Sequence, residues 1–132
     1  MREILFRGQT ASGEWVEGDL LINSRNELTL TYIRYSVNDI SYSRAKVFPE
    51  TVGQYTGFCD KNGKKIFEGD ILEFSDRLVV VFWHAHLGCW DCNFLKFTNK
   101  ENGKEDMAPV RWEYTSTAIG NIHDNPELLK GE

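Results

Sequence analysis

Alternation of apolar and polar positions dominates the chain and predicts strands almost throughout. Residues 1–8 place Ile4 and Phe6 on one strand face, Gly13 supplies a turn, and the return strand begins at Trp15. Leu20 to Ile22 continues it as far as the polar run Asn23–Asn26. Leu28-Thr-Leu-Thr-Tyr-Ile33 then groups Leu28, Leu30 and Tyr32 on one side of the next strand. Tyr35 to Ser43 has no clear period and is expected to be an irregular strand or loop. Ala45 to Phe48 is extended, because Phe48 precedes Pro49 and is pushed out of the helical region.

The second half opens with Thr51 to Gly57, a bent strand, and a hairpin turn at Asp60-Lys-Asn62-Gly63. Ile66-Phe67 and Ile71–Phe74 follow. Leu78 to Trp83 is the most β-prone run and is expected to cross the core, with Gly88 marking the reversal into Trp90–Phe97. Asn99 to Asp106 reads as an exposed polar excursion. Val110 to Tyr114 alternates like a strand, and Thr117 to Ile122 is the last one. Asn125 followed by Pro126 caps one helical turn over Glu127–Lys130.

About ten short strands with so little helix predict a mainly β fold. A soft boundary near residue 50 divides it into an N-terminal β-unit, 1–50, and a small barrel domain, 51–132. One pattern occurs twice: a turn ending in glycine, a short strand, the tripeptide Glu-Gly-Asp, and an apolar strand. The copies centre on Glu17-Gly18-Asp19 and Glu68-Gly69-Asp70. Both are expected to be corners, the glycine permitting a sharp change of direction and the aspartate accepting backbone hydrogen bonds.

Composition narrows the function classes. A net charge of −5 disfavours general nucleic-acid binding, which would require a local basic, aromatic face. Four Trp and eight Phe favour cross-strand packing. No apolar run approaches bilayer length, and the first residues lack a signal-peptide pattern. Three cysteines are odd in number, which points to a reducing cytoplasm and not to a disulfide framework.

Candidate chemistry is sparse. Glu17, Asp19, Glu68 and Asp70 could form an acid–base or metal set, but turn capping explains them more simply. His84, His86, Cys89 and Cys92 are the one metal-like cluster, and zinc suits these donors. Known zinc sites close two separate elements around the ion, whereas these four fall within one hairpin, so buried thiols and surface histidines are the preferred reading. A redox role for Cys89-Trp-Asp-Cys92 would want a helix N-terminus that the strand pattern denies. No nucleophile elbow, phosphate loop or dinucleotide fingerprint occurs. Gln54, Tyr55, Phe58, Trp90 and Trp112 are the candidate binding surface, with core packing as the alternative.

Several ordered blocks carry a resemblance: Arg2–Gly8 with Gly13–Asp19, Val47–Gly57, Asp60–Asp70, and Gly120–Leu129. Together they resemble the YopX family. The resemblance implies a phage or prophage protein whose C-terminal part is similar to an SH3-type barrel, with no established activity and no catalytic residues to carry over. The histidines and cysteines between Val79 and Phe97 lie outside the shared pattern. The expectation is therefore a non-enzymatic binding or assembly module in the host cytoplasm. It needs no cofactor, has no membrane partner, and meets an unidentified protein or further copies of itself as a homo-oligomer. A single-stranded nucleic-acid-binding barrel is the alternative, and a zinc-dependent protein a more distant one.

Overall fold

A computed structural model describes residues 3–98 and 112–129. The fold is mainly β, with ten strands among the described residues, and divides into two compact units, Met1–Tyr55 and Thr56–Glu132. The chain passes from one unit to the other within a strand. The excursion at 99–106 and the start of the strand expected at 110 lie outside the described residues.

The first unit holds β1 (Phe6–Gln9), β2 (Trp15–Arg25), β3 (Leu28–Asn38), β4 (Ser41–Lys46) and the beginning of β5 (Gly53–Cys59), in the antiparallel order β4-β3-β2-β1-β5. Asn26 and Glu27 both take positive φ, 52° and 67°, as a two-residue hairpin between twisted strands requires. The stretch from Tyr35 to Ser43 is strand with one irregularity and not a loop. It completes the β3–β4 ladder, Tyr35 facing Ser43 and Ser36 facing Tyr42, with one register shift before Asn38. That shift is what hides the period in the sequence.

Ile33, Val47 and Tyr55 are the buried apolar side chains here, a small core. Polar stitching supplements it. The Thr51 hydroxyl donates to the Phe48 carbonyl at 2.6 Å and accepts from the Gln9 N–H at 2.9 Å, while the Phe48 N–H donates to the Gln9 carbonyl. Thr51 lies in a single 3₁₀ turn, Pro49–Thr51, so this turn is tied to β1 through side chain and backbone together.

The second unit holds the end of β5, β6 (Lys65–Phe67), β7 (Asp70–Glu73), β8 (Arg77–His84), β9 (Cys89–Phe97) and β10 (Thr117–Asn121). β5 pairs with β6, and the other four form a sheet in the order β10-β7-β8-β9. Ile66, Leu72, Phe74, Val79, Val81 and Ala118 form the core, with Trp90, Cys92 and Trp112 packed against it. Leu72 and Val79, both fully buried, lie directly opposite on β7 and β8, which is where burial per residue contributes most.

From Trp112 onward the segment is not a strand. Trp112–Thr115 forms one turn of α-helix (α1). It is closed by the Ser116 N–H and hydroxyl, which both donate to the Trp112 carbonyl, at 3.1 and 2.6 Å. Local side-chain competition for the backbone thus overrides the alternating pattern. The chain then forms β10 and a 3₁₀ turn at Pro126–Leu129.

Candidate functional site

The two Glu-Gly-Asp copies do different jobs. Gly69 takes φ +89° and forms a true corner. Its N–H donates to the Val81 carbonyl at 2.9 Å, and its carbonyl accepts from the Ile122 N–H at 3.0 Å. Asp70 is buried, and its Oδ2 accepts from the Phe67 N–H at 2.8 Å, so the carboxylate closes the corner it follows.

Gly18 and Asp19 make no corner, contrary to the sequence reading. They sit inside β2, where Gly18 faces Phe6 of β1 and Asp19 faces Arg34 of β3. A Cβ at Gly18 would overlap the Arg34 carbonyl oxygen. The glycine is there for close approach of two strands, which hold it extended from both sides. Asp19 is exposed and pairs with the Arg34 guanidinium at 2.9 Å.

Asp60 is the acid that sequence reasoning underrated. Only 3% exposed, its Oδ1 accepts from the N–H groups of Asn62 and Lys64, and its Oδ2 from that of Ala118, each at 2.9 Å. Burial acts to raise the pKa of this carboxyl, but the three backbone donors, aided by the Lys64 charge, outweigh it and hold the group below its ordinary value. Asn62 and Gly63 form the tip of the same turn, the Gly63 N–H donating to the Asp60 carbonyl. Asp at the head of a turn containing Asn-Gly is a local signal for capping. The Ala118 contact, 58 residues away, has no local signature.

A second knot lies at the C-terminal block. Asn121 Oδ1 accepts from the His123 and Asp124 N–H groups at 2.9 Å, and the Asn121 N–H donates to Asn125 Oδ1 at 3.2 Å. The polar composition of Gly120–Asn125 is therefore turn chemistry.

The metal-like cluster is split by the pleat. Cys89 faces His84 across β8 and β9 and is exposed, whereas Cys92 faces Val81 and packs toward the core. Positions three apart on a strand point to opposite faces. The His84 Nδ1 already accepts from the Leu87 N–H at 3.1 Å. Among the described residues no three His, Cys, Asp or Glu side chains come together as metal ligands. The zinc and paired-thiol readings therefore lack their geometry. Burial, with the Asp91 charge adding to it, pushes the Cys92 thiol up to about 12. Alkylation of the native protein should accordingly modify Cys89 rapidly and Cys92 only on unfolding, because the thiolate is the nucleophile. Peptide mapping after a short iodoacetamide pulse checks this, and equal labelling would contradict the assigned faces.

The five proposed surface residues are divided between the two units. Tyr55 is buried in the first unit, and neighbouring Gln54 pairs with Phe6. In the second unit Trp90 and Trp112 are half-buried against the core, because their large apolar area is worth more inside a small domain than on its surface. Phe58, 44% exposed, meets Trp112 edge-on at 5.3 Å, and Trp83 meets Trp90 at 5.1 Å.

Exposed character concentrates instead in the β2–β3–β4 meander. Ile22 (63%), Leu28 (59%), Val37 (60%), Ile40 (90%) and Tyr42 (64%) all stand in solvent. On one face Arg34 lies directly opposite Arg44, and each guanidinium covers a tyrosine: Arg34 over Tyr42 at 4.9 Å, Arg44 over Tyr32 at 4.4 Å. The sequence grouping of Leu28, Leu30 and Tyr32 pointed to this face, but the arginines stayed hidden because Arg44 joins it from the next strand.

The family model described as YopX protein matches residues 5–130. The fold is similar to that of the crystal structure of protein EF1440 from Enterococcus faecalis, with a TM-score of 0.56 and 23% identity, covering 98% of this chain and 100% of that one. No match is found among curated proteins. Among the described residues no helix is long and apolar enough to cross a membrane.

Proposed function

Because the chain belongs to the YopX protein family, we propose that it is a non-enzymatic binding and assembly module, encoded by a phage or prophage and acting in the host cytoplasm. The observation that carries this reading is the meander of β2, β3 and β4, which leaves large apolar side chains in solvent on both sides. Monomeric proteins rarely leave such residues grouped unless a partner covers them. Elsewhere the family's shared blocks are occupied with structure: Asp60, Gly69, Asp70 and Asn121 each tie one backbone segment to another. The four-stranded sheet and the β5–β6 pair support an SH3-type likeness for the second unit.

The preferred partner is a second copy of the chain. Ile22 shares a strand face with Leu20, opposite to that of the arginines, and Ile40 sits at the hairpin tip between β3 and β4. Ile22 lies opposite Thr31, at the other end of β3 from the hairpin that carries Ile40, so the two are separate apolar contacts, and burying such side chains against a symmetry mate is the commonest route to a soluble oligomer. The outer strand, β4, carries Arg44 and Lys46, and charges of this kind blunt strand-to-strand addition. Association is therefore assigned to these exposed apolar side chains and not to the edge. Sedimentation velocity over a range of concentrations should show a dimer or larger species that Ile22→Asp and Ile40→Asp convert to monomer. A wild-type protein that stays monomeric throughout would remove self-assembly from the reading.

A further inference from the structure

We propose that the opposite face of the meander, the one bearing Arg34 and Arg44, binds single-stranded nucleic acid. This rests on the reading of the chain as a binding module and assigns a ligand to one of its surfaces. The pleat gathers Arg34 and Tyr32 of β3 with Tyr42, Arg44 and Lys46 of β4, and Arg25 of β2 extends the row. Like charges directly opposite in a ladder are unfavourable, yet Arg34 and Arg44 occupy that position in a protein of net charge −5. Four cations thus share one face of a molecule that is acidic overall, which is the footprint a polyanion requires. Asp19 compensates only Arg34, and Glu17 and Glu27 bound the row.

The aromatic component selects the kind of polyanion. Tyr42 is 64% exposed, and the guanidinium over each tyrosine fixes a flat, cationic platform on which bases can stack. Bases offer their faces only when unpaired, so a single strand fits and a duplex does not. Two open depressions lie on this same face. One of about 390 Å³ is lined by Leu21, Arg34, Tyr42, Ser43 and Arg44. The other, of about 310 Å³, is lined by Asn23, Arg25, Asn26, Leu28 and Leu30. Each combines a cation, apolar surface and neutral hydrogen-bonding groups, and the β2–β3 pairing makes them successive stations along one track. An acidic peptide would use the charges but not the stacked rings.

Fluorescence anisotropy tests the assignment with labelled oligouridine and oligodeoxythymidine of about ten nucleotides, within the range one small β-domain covers. Duplex DNA of the same length and polyglutamate serve as competitors. Both single strands should bind, and affinity should fall steeply between about 50 and 200 mM salt. Tyr42→Ala, on an exposed side chain, should weaken binding by roughly fivefold or more. Arg44→Gln should lower the salt slope by about one. Both variants should keep the wild-type circular dichroism spectrum and melting temperature to within a few degrees, so that lost binding is not lost folding. No binding of either oligomer, indifference to Tyr42→Ala, or equal competition by polyglutamate would each overturn the inference. If the wild type sediments as an oligomer but ignores the oligomers, only this inference falls. If it binds them as a monomer, only self-assembly does.

Discussion

Replacing Asp60 with alanine should cost roughly 3 kcal/mol of stability, because a buried N–H left without its acceptor costs about 1–3 kcal/mol and three donors lose theirs together. The Ala118 N–H accounts for most of this, since Ala118 is buried in the core strand β10 and water cannot replace the carboxylate there. The donors of Asn62 and Lys64 lie at an exposed turn, where hydration recovers part of the loss. In a thermal melt the variant should unfold roughly 10 °C below the wild type. Asp60→Asn keeps one acceptor of the two and should fall between them. A melting temperature unchanged in Asp60→Ala would show that the turn holds without its carboxylate.

The same group sets an acid limit. Its folded pKa is depressed, so its contribution is complete above the unfolded value near 3.8 and is lost as pH falls toward the folded value. Wild-type stability should therefore decline below about pH 4, with a component that Asp60→Asn no longer shows. Urea midpoints measured at pH 7, 4 and 3 for the two proteins would separate this contribution from that of other carboxylates. Asp76, held below its ordinary pKa by its hydrogen bonds to Arg77, adds a change of the same sign in both.

Gly18→Ala should be the second severe substitution, at about 3 kcal/mol, the upper part of the range for overpacking a closed site. The added methyl meets backbone, the Arg34 carbonyl, and backbone in a ladder cannot rotate away. β2 and β3 would have to part near Leu20 and Ile33, and Ile33 is the most deeply buried apolar residue of the first unit. Hydrogen exchange should quicken at those two residues first. A variant with wild-type urea midpoint and protection would mean that the strands are not so closely apposed in solution.

Gly18 also shows how far a sequence of this kind can be read. The strands and the Asn62–Gly63 and Gly88 reversals were legible because their signals are local: alternation, and glycine at a bend. The tripeptide Glu-Gly-Asp was misleading because its conformation is decided by what lies on either side of it. At 68–70 a buried carboxylate accepts the Phe67 N–H and a corner results. At 17–19 β1 and β3 grip the same three residues and a strand results. Burial of Tyr55 and Trp90 depends likewise on long-range packing, which periodicity does not encode. The opposite faces of Cys89 and Cys92 were available from their spacing, once the segment was taken as a strand. The arginine–tyrosine face required the β3–β4 register, and a one-residue shift in that ladder was enough to conceal it.

The order of strands in the second unit has a consequence during synthesis. β7 lies between β8 and β10, and β10 leaves the ribosome after both. Until Thr117–Asn121 emerges, β7 has one open side, Asp60 lacks its Ala118 donor, and the Gly69 carbonyl lacks Ile122. Strands β1 to β4 pair with one another and face no such delay. Nascent chains should thus carry the paired strands β1 to β4 ahead of an unsealed second half, a stage at which chaperones and proteases find their opening.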